Sequence, residues 1–515
     1  MKKILNLILL LSLLMSQTCA YAASGHSTNT LRTMFQNNEA IIYAINIRTF
    51  NANDKNGDEI IDKSAGEESG TFLNAIARLD ELSNFGVNTV HILPITPVGK
   101  VKAMGTAGSL YAISDFTTIN PQLADNNSKL PLEQQARLFV DECHKKNIKV
   151  IIDLPSCGSY DLYIKQPELF ALDKKQQPVI PCDWTDVRVF KTTNADGTLN
   201  EELYDQHRKF VDMVMGLGAD GIRADVATIK PYEFWAKLIK YTRDKDPEFL
   251  FLAEASDSWT TPPSEYTPFT DYKKLLDAGF DGFYGSYFNF KTWKSPSELK
   301  KQVDLSQNLS KNYKTKKSVI GSFATHDELS PIITGKAKFS EMIMWLNATL
   351  PLNPYYVDGF MTGDTYLYSY ANRKAKTTNT DDDYYYVHKG KLDIFNFSRR
   401  PGGNNADLLG IFFLSTKFRE YAEDMITKGS FKLLPTNNSN IFAYTRSYND
   451  KSIAVIINKN LEAKTDITIK VRGLTTKSNV MPVKFNHTPE IKDGKIILKM
   501  EPGDTTVLYF NDLKI

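Results

Sequence analysis

Short apolar runs alternate with amphipathic stretches along the chain from about residue 39. Residues 40–47 form an apolar, β-branched run that predicts a strand, and apolar positions three or four apart in residues 71–84 predict a helix. The same alternation predicts strands at residues 88–93, 148–153, 221–225 and 249–254 and helices at residues 132–145, 202–215 and 232–242. Strand–helix units of this kind build a parallel sheet, and eight of them close into a barrel. We therefore expect an α/β fold with a (β/α)8 TIM barrel.

Two regions depart from this alternation. Residues 156–200 have no regular period and contain three prolines, which predicts an irregular insert after the third strand. From residue 429 short alternating runs, such as residues 453–457 and 506–509, predict a C-terminal antiparallel β-sandwich. The expected organisation is a signal peptide (1–22), an N-terminal linker (23–38), a catalytic barrel (39–428, including the insert) and a C-terminal β-sandwich domain (429–515).

The N-terminal residues have the pattern of a secretory signal. Lys2 and Lys3 precede an apolar stretch at residues 4–15, and residues 20–22 (AYA) form a small-residue cleavage site. Cys19 raises the alternative of a lipoprotein, although the residues before it match a lipidation motif poorly. No second apolar run is long enough to span a bilayer. We expect a mature protein without a transmembrane segment that is exported to the periplasm or the extracellular space.

Composition and charge narrow the class of function. The chain has 62 Lys and Arg against 60 Asp and Glu, and removal of Lys2 and Lys3 with the leader balances the charges. This balance excludes the broad basic surface of a nucleic-acid-binding protein. Hydrophobic residues make up 42% of the chain, so it can bury a sizeable core. Aromatic residues make up 11%, which leaves rings available to stack on sugars.

The cysteines exclude a disulfide scaffold. Three remain after the leader, Cys143, Cys157 and Cys182, and an odd number cannot pair completely. Cys157 and Cys182 flank one short insert, so they are either bridged or free buried thiols. The sequence contains neither a C-x-x-C nor an H-E-x-x-H motif, so zinc chemistry has no support.

Charged residues end four of the expected strands. Asp153, Asp225 and Glu254 each close an apolar run, and the pair His326 and Asp327 follows the run at residues 319–323. A single charge at a strand end is commonly just solvated. Four in succession indicate a site, because catalytic groups collect at the C-terminal ends of barrel strands.

These residues also lie in recognisable motifs. Residues 221–225 (GIRAD), the pair Ala253 and Glu254, residues 323–327 (FATHD) and residues 111–116 (YAISDF) occur in the order and at the intervals of known signature segments. The chain thus resembles the α-amylase family of glycoside hydrolases, whose members are retaining enzymes with a catalytic (β/α)8 barrel. The resemblance covers nearly all of the mature chain and implies an α-glucan as the partner substrate.

The chemistry of glycosidic cleavage calls for these residue types. A retaining enzyme needs one carboxylate at the anomeric carbon and one protonated carboxyl at the leaving oxygen. Asp225 is the candidate nucleophile, and Arg223, two residues earlier on the same strand face, would keep it ionised. Glu254 is the candidate acid/base, with a pKa raised by two nearby aspartates. The third catalytic candidate is Asp327, and the substrate-binding candidates are Tyr111, Asp153, Arg223 and His326.

A second cluster of oxygen donors lies at residues 54–62 (DKNGDEIID). Side-chain oxygens at alternate positions suit a hard cation such as Ca²⁺, although the spacing is not that of an EF-hand. The segment resembles the calcium loop that follows the first strand in many bacterial α-amylase-family proteins. That resemblance implies one structural Ca²⁺ as cofactor, with the ligands Asp54, Asn56, Asp58, the Ile60 carbonyl and Asp62. The alternative is a solvated acidic turn.

Several positions depart from the family pattern and leave the reaction open. Cys157 and Gly158 replace an asparagine and a histidine of the third-strand motif, which removes support for a second calcium and alters the sugar-binding site. Residues 228–229 (TI) replace a Lys-His pair on the leaving-group side, and residues 225–235 have some likeness to the maltosyltransferase branch of the family. The expected activity is hydrolysis of α-1,4 links in starch-type glucans. Its alternatives are glucan transfer on the same scaffold and, with less support, a non-catalytic glycan-binding relative.

The calcium loop generates a prediction about stability. A ligand at millimolar concentration that binds the folded state with micromolar affinity adds about 4 kcal/mol. Chelation should therefore lower the melting temperature, and Asp58→Ala should abolish this sensitivity while the catalytic constants change little. The measurements are thermal unfolding with and without chelator and the metal content of protein purified without chelator. A metal-free protein whose melting temperature does not respond to added calcium would contradict the prediction.

Overall fold

The computed structural model describes residues 29–56, 61–103, 108–181, 186–257, 269–328, 330–364 and 406–515. The predicted signal peptide with Cys19, the predicted calcium ligands Asp58 and Ile60, and Cys182 lie outside the described residues. The signal peptide, the part of the calcium site formed by Asp58 and Ile60, and the two alternatives for Cys157 and Cys182 therefore stay predictions.

Eight parallel strands close into a barrel in chain order, which confirms the predicted (β/α)8 fold. The barrel strands are β1 (Ile42–Ile45), β2 (Thr89–Ile92), β3 (Lys149–Leu154), β4 (Gly221–Ala224), β5 (Leu250–Ala253), β6 (Gly282–Phe283), β7 (Ser318–Gly321) and β8 (Asn353–Val357).

Side chains alternate between the barrel interior and the surrounding helices, as the period of two in a strand requires. Residues such as Ile42, Ile151 and Leu252 belong to the interior cluster. Their strand neighbours, such as Tyr43 and Ile152, belong to the large cluster that includes the helices. Continuing the interior face by one further step along β3, β4 and β5 reaches the charged residues predicted from the sequence.

The α-helices of the described residues mostly follow the barrel strands. They span Leu31–Gln36, Ile47–Phe50, Phe72–Ala75, Leu79–Asn84, Leu132–Lys145, Tyr160–Lys165, Glu201–Gly216, Tyr232–Lys245, Tyr272–Ala278, Pro296–Leu309, Pro331–Thr349, Ala406–Tyr421 and Glu423–Thr427. In the part of the chain that the structure describes, no helix has both the length and the apolar character needed to cross a membrane.

The region predicted as an N-terminal linker contains the helix Leu31–Gln36. Leu31 and Phe35 are buried in the interior cluster, so this helix closes the N-terminal end of the barrel. Arg32 Nε donates to Asp281 Oδ1 at 2.8 Å, next to the start of β6. No helix was predicted here because six residues are too few to show a helical period.

Two barrel strands, β6 and β8, were not located from the sequence. β6 has only two residues, and a Cβ on its Gly282 would lie 2.1 Å from the Ser318 oxygen of β7, so only glycine fits this close approach. β8 begins with Asn353 and Pro354, a pair that favours a turn when read locally. In the barrel both residues are buried at a strand start, a position that tolerates proline.

The insert after β3 is more regular than its sequence suggests. Its strands Cys157–Ser159 and Val187–Val189 pair antiparallel, and the helix Tyr160–Lys165 lies between them. Strands of three residues are too short to show a period in the sequence, which is why the segment was predicted to be irregular.

The C-terminal region folds into two antiparallel sheets, as predicted. Five strands form one sheet and three form the other, and their facing sides enclose a separate apolar cluster. The strands are β9 (Ser430–Leu433), β10 (Ile441–Tyr448), β11 (Lys451–Asn458), β12 (Thr465–Lys470), β13 (Val480–Lys484), β14 (Glu490–Lys492), β15 (Lys495–Met500) and β16 (Thr505–Phe510). Ion pairs join this domain to the helix Pro331–Thr349, including Lys484 Nζ to Glu341 Oε1 at 2.8 Å and Lys338 Nζ to Asp504 Oδ1 at 3.0 Å.

A buried ion pair lies where the first and last barrel strands meet. Asp358, directly after β8, is fully buried, accepts from Arg78 Nη2 at 3.0 Å and accepts from the Tyr43 hydroxyl of β1 at 3.0 Å. Arg78 also donates to the Phe50 carbonyl and lies 4.0 Å from the Phe50 ring centroid. This cluster therefore ties the helical segment after β1 to the end of β8.

The cluster at the barrel seam should contribute strongly to stability. Asp358→Asn leaves the buried Arg78 without its carboxylate, and breaking a buried pair in this way costs about 3 kcal/mol or more. The matched control is Asp244→Asn, because the pair of Asp244 with Lys240 is largely exposed and should contribute less than about 1 kcal/mol. Denaturant unfolding of the two variants checks the difference. Equal losses of unfolding free energy would contradict the role of the seam cluster.

Candidate active site

Arg223 is the centre of the carboxylate cluster at the C-terminal end of the barrel. Strand register places Arg223 of β4 directly beside Asp153 of β3, and the guanidinium is fully buried. Its Nη1 lies 2.9 Å from Asp153 Oδ1 and 2.9 Å from Asp225 Oδ1, and its Nη2 lies 2.8 Å from Glu254 Oε2. One cation thus contacts three of the predicted carboxyl groups.

Asp225 is held from two sides. Arg223 contacts Oδ1, and the backbone N–H of Ser156 donates to Oδ2 at 3.1 Å. The Ser156 hydroxyl donates to the backbone carbonyl of Asp225. Asp225 is only 5% exposed, and these contacts fix the orientation of its carboxylate.

Val226, the next residue, adopts a left-handed backbone with φ 35° and ψ 53°. This conformation is strained for a β-branched side chain and costs about 1–3 kcal/mol. It turns the Val226 N–H toward the neighbouring strand end, where it donates to Glu254 Oε2 at 2.7 Å. The strained turn therefore holds the second candidate catalytic carboxyl.

Glu254 and Asp225 are neighbouring carboxyl groups that contact the same guanidinium. Burial raises the pKa of Glu254 well above its usual value, and the negative charges of Asp225 and Asp327 raise it further against the opposing effect of Arg223. The sequence predicted the contribution of the aspartates, but burial is the larger cause. Burial also raises the pKa of Asp225, where Arg223 opposes the rise. The shift is larger for Glu254, so Glu254 carries the proton and Asp225 is ionised.

Asp153 is the fully buried anionic member of the cluster. Burial alone would raise its pKa, but Arg223 and His91 outweigh burial and lower the pKa of Asp153 to about 2. Its Oδ2 also accepts from the Tyr111 hydroxyl at 2.7 Å. Asp153 therefore remains charged throughout the range in which the other carboxyl groups titrate.

Asp327, His326 and Tyr111 form a second group of contacting side chains in the site. The Tyr111 hydroxyl lies 2.8 Å from His326 Nε2, and the two rings are nearly parallel, at 7°. His326 Nε2 lies 3.7 Å from Asp327 Oδ2. The Asp327 side chain is 33% exposed, and its partial burial and the charge of Asp225 raise its pKa to about 7, against the effect of Arg223. The structure thus brings all seven of the predicted catalytic and substrate-binding residues together.

Further residues of the site were not identified from the sequence. His91 of β2 lies 3.3 Å from Asp153, Tyr284 accepts from Arg223 Nε at 2.9 Å, and the Tyr355 hydroxyl of β8 lies 2.9 Å from His91 Nδ1. A histidine inside the apolar run of β2 was a usable signal. Tyr284 and Tyr355 gave none, because β6, which Tyr284 follows, and β8, which contains Tyr355, were not found.

The predicted calcium loop is described in part. Asp62 caps the 3-10 turn Lys63–Ala65, with Oδ1 accepting from the Ser64 N–H at 2.8 Å. The buried carboxylate of Glu67 spans the loop by accepting from the N–H groups of Lys55 at 3.0 Å and Asp62 at 2.9 Å. Asp54, Asn56 and Asp62 offer only oxygen donors, a set that fits a hard cation. Within the described ranges, no group of three His, Cys, Asp or Glu side chains is arranged to hold a metal ion.

No protein-family model matches the chain. It is similar to the alpha-1,4-glucan:maltose-1-phosphate maltosyltransferases of Arcanobacterium haemolyticum (25% identity, 53% of this chain) and Myxococcus xanthus (27% identity, 45% of this chain). These matches cover only 39% and 34% of the two relatives' own lengths. It is also similar to the cyclomaltodextrinase of Thermoanaerobacter pseudethanolicus, at 22% identity over 91% of this chain and 77% of that protein.

Solved structures show the same architecture. A maltogenic alpha-amylase of Thermotoga neapolitana aligns with a TM-score of 0.64 and 20% identity, and an alpha-amylase of Lactobacillus plantarum with 0.65 and 20%. Each alignment covers 92% of this chain and 99% of the other. Barrel and C-terminal sheets thus define an α-amylase-type fold. Together with the sequence relatives, they confirm the resemblance to the α-amylase family, with a maltosyltransferase-like relationship.

The opposite pKa shifts of Asp327 and Asp153 predict opposite effects on stability. The unfolded Asp327 carboxyl ionises near pH 4 and the folded one near pH 7, so ionisation costs stability as the pH rises between these values. The folded Asp153, with a pKa of about 2, loses its stabilising effect only as the pH falls below 4. At pH 8, Asp327→Asn should therefore raise the melting temperature and Asp153→Asn should lower it.

The gain in melting temperature of Asp327→Asn over wild type should shrink at pH 4, because the wild-type carboxyl is then protonated in the folded state. Thermal unfolding of both variants at pH 4 and pH 8 is the measurement. Destabilisation by Asp327→Asn at pH 8 would show that its contacts outweigh the cost of its burial.

Proposed function

We propose that this chain is a retaining glycoside hydrolase that cleaves α-1,4-glucosidic links of starch- or maltodextrin-type glucans by double displacement. The supporting observation is the arrangement of Asp225 and Glu254 around Arg223. Arg223 lies 2.9 Å from Asp225 Oδ1 and 2.8 Å from Glu254 Oε2, so one guanidinium holds the two carboxyl groups side by side. Closely spaced carboxyl groups, roughly 5–5.5 Å apart, are typical of a retaining enzyme, whereas an inverting enzyme separates them by roughly 6.5–9.5 Å to admit a water.

In the first step, an Asp225 carboxylate oxygen attacks the anomeric carbon and forms a glycosyl ester. The bond to the leaving oxygen breaks, and Glu254 transfers its proton to that oxygen. Arg223 contacts both groups throughout, so it compensates the negative charge as it moves from Asp225 to Glu254. Asp327 and His326 would bind hydroxyls of the distorted sugar, and Tyr111 would contact the same ring.

In the second step, Glu254 acts as a base. It removes a proton from water, the resulting oxygen attacks the anomeric carbon, and the bond to Asp225 breaks to restore its carboxylate. Two inversions leave the product in the α configuration. If the hydroxyl of a second glucan replaces water, the same sequence of steps gives transfer.

Transfer is the second candidate, because the first curated relatives are named maltosyltransferases. Maltooligosaccharides and pullulan would be incubated with the protein, and product lengths and new reducing ends would be followed. Hydrolysis predicts one new reducing end for each bond broken. Redistribution of chain lengths without new reducing ends would instead establish a transferase, and intact substrates would refute both.

The sequence supports two further parts of this proposal. The leader at residues 1–22 supports export to the periplasm or the extracellular space. The oxygen donors of residues 54–62 support one structural Ca²⁺, which would brace the segment after β1. The Cys157 thiol is buried, and burial raises its pKa to about 12, so it takes no part as a nucleophile.

Removing either carboxyl should abolish turnover. Asp225→Asn and Glu254→Gln should each lower kcat/KM on maltooligosaccharides by at least three orders of magnitude while the fold stays intact. Asp196→Asn, in an exposed turn of the insert, is the control and should be unchanged. Circular dichroism and steady-state kinetics are the measurements.

The nucleophile role of Asp225 and the acid role of Glu254 can be separated with α-maltosyl fluoride, because fluoride leaves without being protonated by the enzyme. Glu254→Gln should still react with it and Asp225→Asn should not. Azide should restore turnover of the Asp225 variant and give a product of inverted configuration. A folded variant that keeps a tenth of the activity on oligosaccharides would contradict the assignment.

A further inference from the structure

Lys230 is a fully buried cation behind the candidate nucleophile. It ends the 3-10 turn Ala227–Ile229 that follows Asp225, and its side chain extends away from solvent with Nζ 5.5 Å from the Trp235 ring centroid. Burying an ammonium group is costly unless it is paired. The position of Lys230 therefore calls for a partner that compensates this cost.

The contacts of Lys230 lead to Asp225 through one residue. Lys230 Nζ donates to the Ser156 hydroxyl at 2.8 Å. That hydroxyl donates to the Asp225 backbone carbonyl, and the Ser156 N–H donates to Asp225 Oδ2 at 3.1 Å. Ser156 thus connects the cation to both the backbone and the carboxylate of Asp225.

The positive charge of Lys230 offsets part of the negative charge of the site. With Glu254 protonated, Asp153 and Asp225 remain as two buried anions, and the single charge of Arg223 is shared between them. A second positive charge is needed to balance the pair. Lys230 interacts electrostatically with Asp225, and its partner Ser156 contacts Oδ2 of that carboxylate, whereas Arg223 contacts Oδ1.

We propose that Lys230 is a positioning residue that, through Ser156, orients the Asp225 carboxylate and keeps it ionised for attack. Burial lowers the pKa of Lys230 to about 8, with Cys157 and Asp225 opposing the shift, so the side chain is charged over the acidic range in which Asp225 titrates. This inference rests on the proposed function, because it assigns a role within the same reaction.

Several groups set the ionisation of Asp225, and the test must isolate one of them. Those that face Asp225 from the packed elements are Arg223, Asp153, Glu254, Asp327, Tyr111, Cys157 and Lys230. Of these, only Arg223 and Lys230 are cations. Lys230 contacts none of the groups expected to touch the sugar, so it can be changed without altering that surface.

The experiment compares the pH dependence of kcat/KM for Lys230→Met, Ser156→Ala and wild type on one maltooligosaccharide. The acidic limb of this profile reports ionisation of the nucleophile in the free enzyme. Loss of the cation should raise the acidic midpoint by about one pH unit, the low end of the effect of a nearby opposite charge. Ser156→Ala should shift it in the same direction by less, because the charge and the Ser156 N–H contact to Asp225 remain and only the hydroxyl that links Lys230 to the Asp225 carbonyl is lost.

Lys317→Met is the matched control. Lys317 is also buried, has a pKa lowered to about 8 and donates to a carbonyl, that of Phe280, but it lies just before β7, at the N-terminal end of the barrel. This variant should lose stability without moving the acidic midpoint. Thermal unfolding confirms that each variant is folded at the pH of assay.

The outcomes are distinguishable. An unchanged acidic midpoint in folded Lys230→Met overturns the inference while leaving the proposed function in place. If Lys230→Met does not fold, an unchanged midpoint in Ser156→Ala overturns it. A wild-type protein that turns over no α-glucan overturns the proposed function instead.

Discussion

The arrangement of the site depends on one buried guanidinium. Arg223 contacts Asp153, Asp225 and Glu254 at 2.8–2.9 Å, and without it three carboxyl groups could not share a buried space. The strand register sets this contact, since β3 and β4 place Asp153 and Arg223 side by side. An arginine suits the position because its planar fork presents several donors in fixed directions.

Burial and charge act against each other around this cation and give each carboxyl a different state. For Asp153, Arg223 and His91 lower the pKa more than burial raises it, so this carboxylate stays ionised. For Glu254, burial raises the pKa more than Arg223 lowers it, so Glu254 retains its proton. The strand ends thus hold an anion and an acid beside the same guanidinium, the combination that double displacement requires. The strained backbone of Val226 is part of the cost of this arrangement.

Much of the fold and the central part of the site followed from local pattern. The alternation of apolar runs predicted the barrel, and its period of two placed Asp225 and Arg223 on one face of β4. The same pattern could not reveal β6, whose two residues form a strand only because β5 and β7 flank them. Tyr284, which follows β6, therefore remained unassigned although it contacts Arg223.

The sequence by itself determined the strand–helix order, the motif residues that carry chemistry and the two-sheet C-terminal domain, because these depend on spacing along the chain. Only the tertiary structure decided which groups share a buried space. The joining of Lys230 to Asp225 through Ser156 links segments about 70 residues apart, and so does the pairing of Arg223 with Asp153. Proton affinities likewise depend on burial and on charges from several strands. No local pattern carries that information, because barrel closure creates those neighbours.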